Sequence, residues 1–206
     1  MYLGGLCFIT DRKSSALSNE DMVIRVLEAG VRWIQYREKD KTRREIYEEA
    51  VRLREITKRF NSVFIVNDHP DIASSVGADG VHLGQEDLPV KEARKVMGED
   101  KIIGISTHDT VHAITAEDEG ADYVGVGPVF HTTTKNAGSP KGIDILRDVK
   151  THLQIPVVAI GGITVQNVRS VLETGVDAVA VASAILKGEI AENIKKFFEV
   201  INSYQT

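Results

Sequence analysis

The stretch GADGVHLG, Gly77 to Gly84, decides the fold because it returns along the chain. GVRWIQY begins at Gly30, GADYVGVG at Gly120 and GVDAVAVA at Gly175, so the leading glycines are 47, 43 and 55 residues apart. In each copy a helical pattern stops at a glycine suited to a helix C-terminus, and a short apolar strand starts two or three residues later. Four further apolar runs lie between the copies: LCFIT (6–10), VFIVN (63–67), IIGIS (102–106) and VVAIG (157–161). Strands that alternate with helical patterns in this way predict parallel βα units. Eight such pairs in 206 residues predict a compact (β/α)₈ TIM barrel, with residues 1–206 as one domain. A doubly wound open sheet is the competing architecture, but it would usually have fewer strands and no fourfold repeat of strand pairs.

The helical segments carry their own start signals. Ser18-x-x-Asp21 opens the first, and Thr42-x-x-Glu45 is a capping-box pattern at the second. The second has an apolar stripe at Ile46, Ala50, Leu53, Thr57 and Phe60, while pairs such as Glu48/Arg52 mark a solvated outer face. Later helices are predicted over Ile72–Val76, Val90–Met97, Val111–Glu119, Ile143–Thr151, Val165–Thr174 and Ala191–Ser203. The longest irregular stretch, FHTTTKNAGSPKG from Phe130 to Gly142, follows strand six. A loop of that length in a compact domain points to function, here as a lid.

Composition narrows the function. A net charge of −5 argues against a general nucleic-acid binder, so an anionic ligand has to be held by local cations or backbone N–H groups. The lone Cys7 excludes an intramolecular disulfide and reads as an inert core thiol. No window holds 18 apolar residues and MYLGGLCFITDRK lacks a leader pattern, so a cytoplasmic protein with no membrane partner is expected. The sequence leaves a homo-oligomer open.

Barrel enzymes place their active sites at the carboxyl ends of the strands, which gives the residues there a common meaning. Asp68 follows the third strand and Asp87 the fourth. Two carboxylates at neighbouring strand ends suit Mg²⁺, which takes one or two carboxylates together with substrate phosphates. The alternative keeps Asp68 as a helix cap and Asp87 in a solvated loop. Arg37 and Lys39, at i and i+2, are expected on one strand face, offering a planar fork and a point charge to a diphosphate. Lys135 in the long loop is a candidate third cation. Gly161-Gly162 and Ser183 follow strands seven and eight, where barrels often hold a phosphate on backbone N–H groups. His82 reads as a packed barrel-interior residue, and the histidines have no zinc-ligand spacing. Neither a nucleophile elbow nor a Walker A pattern is present.

Taken together, QYREKD, NDHPD, GADGVHLGQEDLP, IIGISTH, GADYVGVGPVFHTTTK, IPVVAIGGIT and VAVASAI resemble the thiamin-phosphate synthase (thiamin-phosphate pyrophosphorylase) family, in that family's order and over nearly the whole chain. The resemblance implies a (β/α)₈ barrel that joins hydroxymethylpyrimidine diphosphate to thiazole phosphate and releases pyrophosphate. It further implies that Gln35, Arg37, Lys39 and Asn67 hold the pyrimidine diphosphate and that Asp68 and Asp87 bind Mg²⁺. Ser106 and Lys135 would contact the diphosphate, with Arg37 and Lys39 also assisting its departure. Thr132, Thr134, Gly162, Ala182 and Ser183 would hold the thiazole phosphate. His69 stands where the family often has Arg, His131 where it often has Pro, and Tyr36 where an aliphatic residue is more usual. A thiazole tautomerase, a phosphosugar isomerase or lyase, and a non-catalytic sensor of phosphorylated metabolites are the competing readings.

Overall fold

A computed structural model describes residues 3–132 and 139–204. Eight strands run in chain order around a closed parallel barrel, β8 pairing back onto β1. They are β1 Gly5–Ile9, β2 Trp33–Tyr36, β3 Val63–Asn67, β4 Gly80–Leu83, β5 Ile102–Thr107, β6 Tyr123–Val126, β7 Val157–Ile160 and β8 Ala178–Val181. The helices are α1 Asn19–Glu28, α2 Arg43–Arg59, α3 Pro70–Ser75, α4 Val90–Met97, α5 Thr110–Asp118, α6 Asp144–His152, α7 Val168–Leu172, α8 Ser183–Leu186 and α9 Ile190–Tyr204. The TIM barrel read from the repeat is therefore the fold, and the open sheet is not.

Local signals act where the sequence places them. Ser18 accepts the Asp21 N–H at 3.0 Å to start α1, and Thr42 and Glu45 close a reciprocal capping box on α2. Two elements differ from expectation. α7 begins three residues later than its apolar pattern suggests. Asn167 Oδ1 accepts the Thr164 N–H at 2.8 Å while its Nδ2 donates to Gly162 O at 3.0 Å, which holds the intervening residues in a turn. α8 is a single short turn of helix that the sequence pattern does not announce.

The repeat has a physical meaning at the amino ends of the strands. In three of the four copies its third residue is aspartate, and each aspartate joins two strands and a helix. Asp79 Oδ2 accepts the Phe64 N–H of β3 at 2.8 Å, Asp122 Oδ2 that of Ile103 in β5 at 2.7 Å, and Asp177 Oδ2 that of Val157 in β7 at 2.8 Å. The same carboxylates pair with Arg54 of α2, Arg94 of α4 and Lys150 of α6 at 2.8, 2.7 and 2.6 Å. In the first copy Arg32 occupies this place. It donates instead to Leu27 O and Val31 O and lies over the Phe60 ring.

Inside the barrel, side chains alternate between lumen and helix layer. Ile34 and Tyr36 of β2 join the large outer core, whereas Trp33 packs in the lumen with Cys7, Ile9, Ile65, Tyr123 and Val158. The lumen takes such large groups only because neighbouring strands offer glycine. A Cβ on Gly104 would lie 2.0 Å from the Tyr123 ring, and one on Gly80 2.2 Å from Ile102 O. Trp33 meets Tyr123 edge-on at 5.3 Å. Burial pushes the Cys7 thiol far up, as expected of an inert core cysteine.

Asp79 and Arg54 are both mostly shielded, so removing one partner strands a charge and orphans the Phe64 N–H. Asp79→Ala should therefore cost about 3 kcal/mol, lowering the melting temperature by roughly 6–12 °C for a chain of this size. Asp79→Asn, which keeps an acceptor for the backbone, should cost less. Thermal melts of the two variants check both values.

Candidate active site

The carboxyl ends of the strands gather most of the predicted site residues into two adjoining spaces. The inner one is a cavity of about 350 Å³ over the barrel lumen, lined by Gln35, Arg37, Asn67, Ser106, Thr132, Gly162, Ala182 and Ser183 among others. The outer one is an open groove of about 630 Å³ that contains Lys39, Asp68 and Asp87. Arg37 and Lys39 thus belong to different spaces and do not share a strand face. β2 ends at Tyr36, and past that point the alternation of a strand no longer applies. The same division separates Asn67, the last residue of β3, from Asp68 beside it. Thr134 and Lys135 lie outside the described residues.

Asp68 is turned outward by its backbone. Its φ is +65°, a left-handed conformation that Asp and Asn tolerate better than other residues with a Cβ. Its N–H donates to His82 O at 2.8 Å, and the next N–H, of His69, donates back to Asn67 O. The bond across to β4 fixes the bend. The Asp68 carboxylate pairs with the Lys39 ammonium, and Asp87 lies against it on the other side. Asp87 Oδ2 accepts the Gly84 N–H at 2.7 Å. Burial, joined by the adjacent Asp68 charge, raises the Asp87 pKa above the usual carboxylate range despite the Gly84 N–H and Lys39. α3 takes no side-chain cap from its N-cap residue, His69. Asp68 is thus not the cap of α3.

Two carboxylates in contact with one lysine for compensation form an unbalanced acidic pair that fits a divalent cation. No set of three or more His, Cys, Asp or Glu side chains able to hold a metal occurs among the described residues. A closed zinc-type cage is therefore not what these side chains build. A pair of half-buried carboxylates facing an open groove is the kind of partial ligand set that Mg²⁺ takes when substrate phosphates complete its shell.

The inner cavity is floored by a hydrogen-bonded chain. The Gln35 side chain reaches the Tyr123 hydroxyl, and that hydroxyl is 2.8 Å from His82 Nδ1. His82 Nε2 is 2.8 Å from Ser106 Oγ. Burial pushes the Tyr123 pKa well up, so the phenol stays protonated and the chain retains a fixed donor. His82 was legible as an interior residue, but its grip on Ser106 was not. That contact crosses 24 residues of sequence, and β4 and β5 become neighbours only in the barrel. His108, at the end of β5, anchors through Nδ1 to Gly127 O at 2.6 Å, next to the cis Gly127–Pro128 bond.

Across the barrel, Gly161 and Gly162 have φ of +99° and +66°. A Cβ on Gly162 would lie 2.5 Å from His131 O, and one on Gly161 2.7 Å from Pro128. The diglycine is thus required by the fold, whatever ligand its N–H groups also meet. Ser183 begins α8, a single turn in which the Ile185 N–H donates to Ala182 O at 3.1 Å. Lys187, at the other end of that turn, also lines the cavity and was missed. Nothing in ILKGE distinguishes it from a surface lysine until the fold places it at the cavity.

A closed parallel βα barrel with a diglycine after β7, cations after β2 and a carboxylate pair near the ends of β3 and β4 belongs to the class of TIM-barrel proteins. Sequence comparison narrows the class: a profile of the thiamine monophosphate synthase family (TMP-TENI) matches residues 6–185, and the chain belongs to that family. It is 45% identical to the thiamine-phosphate synthase of Caldicellulosiruptor saccharolyticus over 95% of this chain and 89% of that protein. The thiamine-phosphate synthase of Methanosarcina barkeri is also 45% identical, over 94% of this chain and 88% of its own. Among solved structures, thiamine phosphate pyrophosphorylase from Pyrococcus furiosus superposes with a TM-score of 0.90 at 37% identity, covering 98% of this chain and 97% of that one.

The raised Asp87 pKa has a consequence for stability. A carboxyl that binds its proton more tightly folded than unfolded contributes stability that is full below the unfolded pKa. That contribution is lost as pH rises through the higher folded pKa. At neutral pH the ionised pair thus weakens the metal-free protein. Asp87→Asn keeps an acceptor for the Gly84 N–H and removes the repulsion. Its melting temperature in EDTA at pH 7 should equal or exceed that of the unsubstituted protein. Addition of MgCl₂ with pyrophosphate should stabilise the unsubstituted protein and leave the variant nearly unmoved.

Proposed function

We propose that this protein is a Mg²⁺-dependent thiamin-phosphate synthase that couples hydroxymethylpyrimidine diphosphate to thiazole phosphate on a single barrel domain spanning the chain. The observation that carries this reading is that one cavity draws polar groups from strand ends on opposite sides of the barrel. Gln35, Arg37, Asn67 and Ser106 lie on one side, and Gly162, Ala182 and Ser183 on the other, in a chain of this family. An enzyme that joins two phosphorylated molecules needs this layout, because each is held by its own anion while the reacting atoms meet between them.

In this reading Arg37 and Ser106 bind diphosphate oxygens from the inner cavity and Lys39 from the outer groove. Lys135 adds a further cation to the diphosphate. Gln35 and Asn67 orient the pyrimidine, with Thr132 and Thr134 contacting the thiazole phosphate. Asp68 and Asp87 would hold Mg²⁺, which when bound would supply charge neutralisation to the leaving diphosphate. As the methylene C–O bond breaks, the diphosphate departs with the electron pair, and the guanidinium and ammonium groups stabilise the growing negative charge. The pyrimidine methylene becomes cationic, and the thiazole ring nitrogen donates its lone pair to form the new C–N bond. No protein nucleophile takes part. The His82–Ser106 bond holds the serine hydroxyl in place before substrate arrives. Phe130–Gly142 is the candidate cover that would exclude water, and its residues 133–138 lie outside the described residues.

Purified protein given both substrates and Mg²⁺ should release thiamin phosphate and pyrophosphate, and omission of any one component should abolish product. Asp68→Asn should lower kcat about a hundredfold at saturating Mg²⁺, the loss expected for one interaction made mainly in the transition state. Its melting temperature should change little. Thiazole tautomerisation without coupling would overturn the assignment. Normal turnover in Asp68→Asn would remove the carboxylate pair from it.

A further inference from the structure

One buried ionic network remains unused by the mechanism above, and it sits behind the diphosphate side of the site. Glu49 of α2 is 3% exposed, yet its carboxylate receives three donors. Oε2 accepts from Asn19 Nδ2 at 2.9 Å and from the Tyr36 hydroxyl at 2.6 Å, and Oε1 accepts from Lys41 Nζ at 2.7 Å. Burial acts to raise its pKa, and the bonds from Lys41, Tyr36 and Asn19 outweigh that and leave it below the usual carboxylate range. Glu49 is therefore an anion inside the α1–β2–α2 layer. Burial, followed by the Glu49 contact, drives the Tyr36 pKa far up, so the phenol remains a donor. A buried ion pair seldom stabilises more than apolar packing of the same volume. Its presence is better explained by what it holds in place.

What it holds is the segment between β2 and α2. Tyr36 is the last residue of β2, and Lys41 lies just before the Thr42 cap of α2, so Glu49 grips both ends of the stretch containing Arg37 and Lys39. Two further clamps act within it. Thr10 Oγ1 accepts the Arg37 N–H at 2.9 Å and donates to Arg37 O at 3.0 Å. Glu38 Oε1 accepts the N–H groups of Lys39 and Asp40 at 2.8 and 3.0 Å. A non-repetitive loop thereby has its backbone held at Arg37, Lys39 and Asp40 before any ligand binds.

We infer that Tyr36, Glu49 and Lys41 are positioning residues for the diphosphate: through the buried Glu49 carboxylate they set the loop that presents Arg37 to the inner cavity and Lys39 to the outer groove. None of the three lines the inner cavity. Lys41 borders the outer groove, but its ammonium is spent on Glu49. The inference rests on the proposed coupling reaction, and its test separates the two. Losing the loop's preset geometry should weaken the diphosphate partner alone, because the thiazole phosphate surface is built from β7 and β8 on the far side of the barrel.

The experiment measures calorimetric binding of inorganic pyrophosphate with Mg²⁺, and KM for each substrate, in Tyr36→Phe, Lys41→Met, Glu49→Gln and Lys41→Arg. Lys41→Met and Glu49→Gln should each weaken pyrophosphate binding and raise KM for the pyrimidine diphosphate about tenfold, the low end of what loss of a supporting partner costs a ligand site. KM for thiazole phosphate should stay within about twofold on the same scale. Tyr36→Phe, the mildest change, should shift the same two quantities in the same direction, and Lys41→Arg should restore them. Lys150→Met, which breaks the comparable 2.6 Å pair with Asp177 at the opposite rim, should lower the melting temperature without moving either KM. Falls in melting temperature with unchanged pyrophosphate affinity, or equal rises in both KM values, would overturn the positioning role. Unsubstituted protein that neither couples the substrates nor binds pyrophosphate would overturn the functional reading and this inference with it. Coupling by the unsubstituted protein with unaffected variants would overturn only the inference.

Discussion

The rest of this structure depends on the aspartates that lock the amino ends of the strands. Asp79, Asp122 and Asp177 each accept a backbone N–H from the strand before and pair with a basic residue on a helix of the outer layer. A parallel barrel closes only if every strand keeps its register, and a slip of one residue would exchange lumen and helix-facing side chains throughout. These three pairs all lie at the amino-terminal rim. The carboxyl ends can then hold polar groups chosen for a ligand.

Lumen packing passes that order upward. Gly104 makes room for Tyr123, and Gly125 faces His82 closely enough that a Cβ there would come within 3.1 Å of the imidazole. Above the apolar floor of Trp33 and Ile65 the side chains become polar in one step, through Gln35, Tyr123 and His82 to Ser106. Each polar atom in that chain is satisfied by the next, which lets a mostly buried row of polar groups persist in a hydrophobic barrel. The same bonds set the direction of Ser106 before a ligand arrives.

Electrostatics at the active rim runs against the net charge of the molecule. In a chain carrying −5, Arg37 and Lys39 stand together on a single clamped loop. The carboxylates of Asp68 and Asp87 are brought together by a left-handed turn and a backbone bond to Gly84, at the cost of mutual repulsion that the Gly84 N–H and Lys39 only partly relieve. Such a pair is costly to the fold while both carboxylates carry charge, and burial with the adjacent charge accordingly raises the Asp87 pKa.

Periodicity alone determined the barrel, because helical and strand patterns alternate eight times and glycines mark the helix ends. The caps at Ser18 and Thr42 were equally legible, since a cap needs only residues three apart in sequence. The convergence of Gln35, Asn67, Asp68, Asp87, Ser106, Gly162 and Ser183 at one rim also followed from sequence, because each ends a strand and a parallel barrel puts all strand ends on one side. Tertiary structure decided what depends on direction and on distant neighbours. It sent Arg37 inward and Lys39 outward once β2 had ended, and it assigned His82 to Ser106 and Glu49 to Tyr36, Lys41 and Asn19. It also brought Lys187 over the cavity. Sequence spacing records which residues share a face of a helix or strand. It cannot record which side chains meet when separate elements close around a common axis, because those distances exist only after the barrel has formed.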